Sequence, residues 1–403
     1  MKLYKRFYCR IFQKVMHLLI PFFPYREPVL LDGIKEIINV IDKENIKNVL
    51  LVTDKVIKEL GLTSPLEELL QEYGINVYVY DKTLPNPTSD NVYEAKEMYI
   101  THNCDGIIAF GGGSPMDCAK AVGALIACPK KSLNKMAGLI KIRKKIPPLI
   151  AVPTTAGTGS ETTVASVIVD SKTHHKYVIN DFCLIPKYAV LEPKVTISLP
   201  KYITATTGMD ALTHAVEAYI GGSKTKKSKS AAIKAVKLIF ENLEKAFNNG
   251  EDIEARYNML NASYLAGTAF TISYVGYVHA VAHTLGGKYG LPHGLANAVL
   301  LPHVLRLYGS SIYKSIGELS KAVGLVDACV SNNVATEAFI SHIEDMNRRM
   351  NIPTKFDCIY INDIKELAKI ADKEANPLYP VPLLLDNSEL EKIYLLVYNN
   401  INN

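Results

Sequence analysis

The sequence predicts an α/β domain with a Rossmann-like parallel sheet, followed by an all-helical domain. Three observations lead there. Over the first half, short apolar runs rich in β-branched residues alternate with helical patterns. Two of those runs lead directly into glycine- and hydroxyl-rich loops. Beyond about Tyr202 the apolar period becomes that of helices and strand signals become few. The change falls near Pro200, so we divide the chain into domains 1–200 and 201–403, with 1–28 an N-terminal extension of the first.

The extension is basic and aromatic. Lys2, Lys5, Arg6 and Arg10 precede an apolar stretch from Val15 to Phe23. His17 interrupts that stretch, Pro21 and Pro24 end it, and no small-x-small cleavage site follows, which argues against an export signal. Phe7, Ile11, Phe12, Val15 and Leu18 fall close to helical spacing. They predict an amphipathic helix docked on the body or on a partner subunit.

Four apolar runs then mark strands: Asn48–Thr53, Ile75–Tyr80, Gly106–Phe110 and Pro148–Val152, with helices such as Ser64–Tyr73 between them. Val164–Asp170 and Tyr188–Leu191 read as further strands. After the third run comes Gly111-Gly112-Gly113-Ser114-Pro115, opening a helix that carries Asp117 and Lys120. Glycines admit a ligand close to the backbone, and a helix N-terminus favours a phosphate. The pattern is not GxGxxG, and a tight structural turn explains it equally well. The loop from Pro153 to Glu161, PTTAGTGSE, repeats the arrangement, and there the alternative is helix capping by Ser and Thr. Asp54 ends the first clear strand, where an acid can bond a ribose 2′-OH and repel a 2′-phosphate; otherwise it is a surface turn residue.

Long helical patterns follow, such as Ser230–Phe247 and Ile253–Ala269. Five of the ten histidines lie between His214 and His303. Asp210 and His214 are one helical turn apart in MDALTHAVEAY, and His279 and His283 repeat the spacing in VHAVAHTLGG. His293 follows in LPHG and His303 in LPHV. A lone histidine on an apolar helix is usually a core residue. Two spaced pairs, a loop histidine and a carboxylate instead resemble a metal site built from several helices. Three imidazoles and one carboxylate suit ferrous iron or zinc alike.

Bulk composition excludes several classes. Hydrophobic residues are 48% and charged ones 21% of 403 residues, an ordinary globular mix. A net charge of +5 is too weak to indicate nucleic acid, and we read the lysine runs at 224–229 and 141–145 as solvated faces. Seven cysteines without a CxxC read as free thiols in a reducing cytoplasm. No apolar stretch reaches the roughly 20 residues of a membrane span.

In order, VTDK at Val52–Lys55, PNPT at Pro85–Thr88, GGGSPMDCAK at Gly111–Lys120, PTTAGTGSE at Pro153–Glu161, TGMDALTHAVEAY at Thr207–Tyr219 and the block Gly276–Val304 resemble the iron-containing (group III) alcohol dehydrogenases. The resemblance implies a dinucleotide-binding domain, then a helical metal and substrate domain, with the active site between them. It implies metal ligation by Asp210, His214, His279 and His293, and a His283 that faces nicotinamide and substrate without binding metal. Gly112, Gly113 and Ser114 would hold the pyrophosphate, and Asp54, Asn86, Asp117, Thr154, Thr155 and Lys176 would belong to the cofactor site. The implied reaction moves a hydride between a small primary alcohol or diol and NAD, in preference to NADP, at a divalent metal, iron before zinc. A zinc polyol enzyme like glycerol dehydrogenase and a lyase like dehydroquinate synthase are the rival readings. We further expect a cytoplasmic homodimer acting on a small alcohol or aldehyde, with no nucleic-acid partner.

Three stretches depart from the family pattern. Leu191-Glu192-Pro193 stands where LDP is usual, and many members lack the first 28 residues. The segment from Glu374 to Pro380, EANPLYP, differs where the chain often approaches substrate, which leaves the substrate's identity open.

Overall fold

The computed structural model describes residues 1–399. The chain divides into two compact units: Pro24–Ser198, and Met1–Phe23 together with the chain from Leu199 onward. The described residues form nine strands, all in the first unit: β1 (Val29–Leu31), β2 (Asn48–Val52), β3 (Asn76–Tyr80), β4 (Gly106–Gly111), β5 (Gly138–Leu139), β6 (Leu149–Pro153), β7 (Ala165–Val169), β8 (Lys176–Asn180) and β9 (Tyr188–Val190).

Six of them form a parallel sheet in the order β1-β9-β6-β4-β2-β3. Alternate residues of each central strand enter opposite cores. Leu50, Val52, Ile107, Ala109, Leu149 and Ala151 pack with Val92 and Val122 of the helices Ser89–Thr101 and Gly113–Ala127. Val49, Leu51, Ile108, Phe110, Ile150 and Val152 pack with Ile37, Ile41, Leu66 and Leu70 of Ile37–Glu44 and Ser64–Glu72. A sheet covered on both faces needs apolar side chains at every strand position, which is why these runs are continuous and not alternating. The chain runs from β2 out to β3, then crosses back to β4 on the other side of β2. The order reverses there, so the carboxyl ends of β2 and β4 flank the crevice where ligands of open α/β sheets bind.

The structure adds three strands to the sequence reading, β1, β5 and β8, and places an expected one, β7, in a second sheet. The Val164–Asp170 run is β7, and it pairs antiparallel with β8 in a separate three-stranded sheet completed by β5. Its burial alternates along the strand, as expected of a one-faced ribbon. β1 and β5 have only three and two residues, too few to show a period.

The second unit is helical, with no strand among the described residues. Lys201–Ile220 is buried on nearly every side from Thr204 onward, between helices that include Lys226–Asn248 and Ile253–Ser273. The N-terminal helix, Leu3–Leu19, joins this unit and not the sheet that follows it in sequence. It docks on the body, though not by its apolar face. Its polar side docks: Arg10 donates to the carbonyls of Val381 and Pro382 at 2.7 and 2.9 Å, and Gln13 donates to that of Tyr379 at 2.7 Å. Of the residues expected to meet the body or a partner subunit, Phe7, Ile11, Val15 and Leu18 face outward and Phe12 is half-buried. No single helix among the described residues is long and apolar enough to cross a membrane.

Candidate active site

Three helices of the second unit bring four donors together. Asp210 and His214 lie one turn apart on Lys201–Ile220, His279 lies in the first turn of Tyr277–Tyr289, and His293 opens His293–Tyr308. One ligand atom from each lies within 4.8 Å of the others. His293 Nε2 is 3.5 Å and His279 Nε2 4.0 Å from Asp210 Oδ1. The rings of His214 and His279 stack at 4.5 Å between centroids. Gly294 permits the approach, since a Cβ there would collide with the Thr206 carbonyl on the facing helix. His303 lies farther along the last of these helices and is not in the cluster.

Two residues that sequence reasoning missed complete the cluster. Glu217, on the same helix as Asp210 and His214, accepts from the N–H groups of Gly276 and Val278 at 2.8 Å each, and meets His279 Nδ1 at 2.6 Å. It therefore caps the Tyr277–Tyr289 helix and orients the ring within it. Asn297, one turn after His293, directs its amide Nδ2 at Asp210 Oδ1 (2.6 Å), His293 Nε2 (3.1 Å) and His279 Nε2 (3.2 Å). The sequence held a signal for each: Glu217 follows His214 by three residues, and Asn297 follows His293 by four, the spacings of one helix face.

This donor set fits a divalent transition metal. Burial, then the neighbouring His214, His293 and His283, hold the His279 imidazole well below its ordinary pKa, so the ring is neutral. With Nδ1–H directed at Glu217, Nε2 carries the lone pair a metal needs. The positive end of the buried Asn297 amide dipole stands among these acceptors while its Oδ1 has no hydrogen-bond partner. A cation satisfies the same convergence of lone pairs. The protein has a divalent-metal site.

His283 lies outside the four donors, with its ring stacked on that of His293 at 5.2 Å. Its Nδ1 meets Glu374 Oε1 at 2.6 Å, and the same oxygen accepts from Tyr379 Oη at 2.8 Å. Burial raises the Glu374 pKa, but the charge and hydrogen bond of His283 and the hydroxyl of Tyr379 outweigh it, leaving the carboxyl below its ordinary range. Nothing in the sequence links Glu374 to His283, because they are 91 residues apart.

In the first unit the two glycine-rich loops are neighbours. Thr154 N–H donates to the Gly111 carbonyl at 3.1 Å, and a Cβ on Gly112 would lie 3.3 Å from Thr155 Oγ1. Gly111 has φ +155°, and a Cβ there would run into the Pro115 ring. The turn thus requires glycine at Gly111, and Gly113 and Ser114 begin the Gly113–Ala127 helix just beyond it. Ser114 Oγ accepts from Asn86 N–H at 3.3 Å, and Asn86 Oδ1 accepts from Lys176 Nζ at 2.8 Å. Asp117 accepts through its backbone carbonyl from Ser166 Oγ at 2.7 Å. Fully buried Lys120 donates to Ser160 and Thr163, and so holds the second loop against this helix. Asp54 caps Lys55–Glu59, with Oδ1 accepting from Ile57 N–H at 2.9 Å.

Comparison with known proteins agrees in both units. Residues 31–193 match the iron-containing alcohol dehydrogenases, and residues 204–397 match the C-terminal part of the Fe-containing alcohol dehydrogenase family. The chain is 40% identical over 334 residues to 1,3-propanediol dehydrogenase of Citrobacter freundii, covering 82% of this chain and 86% of that one. It is 36% identical over 341 residues to an NAD-dependent methanol dehydrogenase of Bacillus methanolicus, covering 84% and 89%. Its fold resembles the crystal structure of a 1,3-propanediol oxidoreductase with TM-score 0.88 and 36% identity, over 93% of this chain and 99% of that one.

Proposed function

The chain belongs to the iron-containing alcohol dehydrogenase family, and from that premise we propose which residues carry its reaction. The protein is a metal-dependent, NAD-linked oxidoreductase of small alcohols or diols and their aldehydes. In our reading Asp210, His214, His279 and His293 hold the metal, iron before zinc, and the convergence of their ligand atoms within 4.8 Å carries it. Residues 1–200, without the helical extension, serve the dinucleotide, and 201–403 serve metal and substrate.

When bound, the metal supplies Lewis acidity toward an alcohol or carbonyl oxygen, and the nicotinamide accepts or returns hydride. Glu217 keeps His279 in the ligating tautomer. His283, held at Nδ1 by Glu374 and partly exposed, passes the hydroxyl proton between substrate and solvent. Gly112, Gly113 and Ser114 take the pyrophosphate at a helix N-terminus. Asn86, Asp117, Thr154, Thr155 and Lys176 shape the same site, and Asp54 excludes a 2′-phosphate.

Relatives named for 1,3-propanediol and for methanol support a short primary alcohol or diol as substrate. Seven free cysteines support a reducing cytoplasm. The edge strand β1, with Val29 and Leu30 exposed, supports a homodimer joined across that edge.

The test is metal analysis together with NADH absorbance on a panel of short alcohols and diols. His279→Ala is expected to lose metal and activity together. Full activity in a metal-free variant overturns the ligand assignment, and turnover without net NADH indicates a lyase.

A further inference from the structure

We propose that the outer face of the Leu3–Leu19 helix docks on an anionic lipid surface. Tyr4, Phe7, Tyr8, Ile11, Val15 and Leu18 follow one another at helical spacing and are exposed, Phe7 to 68% and Leu18 to 69%. An apolar stripe this continuous is not ordinary monomer surface; it marks something that covers it. Docking by the opposite, polar side fixes the stripe outward. Lys5 pairs with Asp372 at 2.6 Å, and Arg10 and Gln13 are committed to backbone carbonyls of the 377–382 segment.

Charge selects the occupant. The first carboxylate in the sequence is Glu27, so the helix carries cations only. Lys5 and Arg10 are spent on docking, while Lys2, Arg6 and Lys14 remain exposed, Lys14 directly beside the apolar stripe. A helix with apolar and aromatic residues on one face and cations at its margin lies in the plane of a membrane interface, its apolar side among the acyl chains and its cations at the headgroups. A second copy is the poorer partner, because two such helices set face to face bring like charges together with no carboxylate between them.

The chain has no tryptophan, so Phe7→Trp places a single indole on this face. Its emission is expected to shift to the blue with vesicles of equal parts phosphatidylglycerol and phosphatidylcholine, and to stay unchanged with phosphatidylcholine alone. The unmodified protein should sediment with the anionic vesicles. Neutralising Arg6→Gln or Lys14→Gln should weaken that binding roughly fivefold each, and added salt should weaken it too. Phe7→Ser with Leu18→Ser should abolish it, with alcohol oxidation in vesicle-free buffer unchanged as proof of folding. Absence of vesicle binding, or equal binding to neutral vesicles, overturns the proposal. So does a serine variant that turns a dimer into a monomer by light scattering, since a second copy would then own the face.

Discussion

Glu217 Oε2 lies 2.6 Å from His279 Nδ1, and both side chains are almost wholly buried. The pair converts a sequence pattern into a chemical state. A neutral imidazole has one N–H, and the acceptor opposite it decides which nitrogen keeps the lone pair. Burial raises the Glu217 carboxyl and the backbone N–H groups of Gly276, Val278 and His279 draw it part of the way back, leaving it at about 7. The carboxylate therefore serves the helix terminus and the metal site together.

Glu217→Gln keeps the size and one acceptor but removes the charge. We expect metal affinity to fall about 10–100-fold, as for other carboxylates behind a ligating histidine, measured by chelator competition. Activity should return when metal is supplied in excess. Unchanged affinity would mean that Glu217 serves only the helix cap.

Asp54 has two duties that substitution can separate. Its Oδ1 caps Lys55–Glu59, and its charge is our proposed barrier to a 2′-phosphate. Asn caps as well as Asp does, whereas Ala costs about 1 kcal/mol at such a position. Asp54→Asn should therefore raise kcat/KM with NADP relative to NAD with little change in Tm, and Asp54→Ala should raise it with a lower Tm. An unchanged NADP to NAD ratio in both variants leaves Asp54 a cap and nothing more.

The parts of this fold that were legible in sequence are those where one residue's neighbours are local. The four central strands stand out because both sheet faces are buried, and Asp210 with His214 because one helix turn separates them. The antiparallel pairing of β7 with β8 depends on partners across a hairpin, which an apolar run does not name. Glu374 reaches His283 only through tertiary packing. The N-terminal helix was legible as a helix but not in its facing, because amphipathicity alone does not say which side meets the protein. Arg10 and Gln13 decide that by reaching carbonyls near residue 380.

Asp170 should leave a signature in acid. The Asn134 side chain, with the N–H groups of Thr173 and Lys172, holds its carboxyl down at about 2. A folded pKa below the unfolded one means that the native state favours the charged form. The resulting stability is present above about pH 4 and is lost as pH falls through about 2. Melts of wild type and Asp170→Asn should differ by a constant gap at neutral pH that closes over that window. A gap independent of pH down to 2 would assign the whole effect to packing.

His283 and Glu374 make the proton-handling reading testable apart from the metal. Glu374 Oε1 bonds Nδ1 of His283 and is not one of the four metal donors. With Nδ1–H held there, Nε2 is the nitrogen left to accept a proton. Removing the ring by His283→Ala should therefore cost about 10²–10⁴ in kcat, the usual worth of a positioned general base, with metal content unchanged. Glu374→Gln retains an acceptor and loses only the charge. The difference between charged and neutral hydrogen bonds is about 1 kcal/mol, so kcat should fall roughly fivefold. Steady-state rates across pH, with metal quantified in each preparation, check the pair. Loss of metal in step with activity would instead make His283 a support for His293, whose ring it stacks against at 5.2 Å.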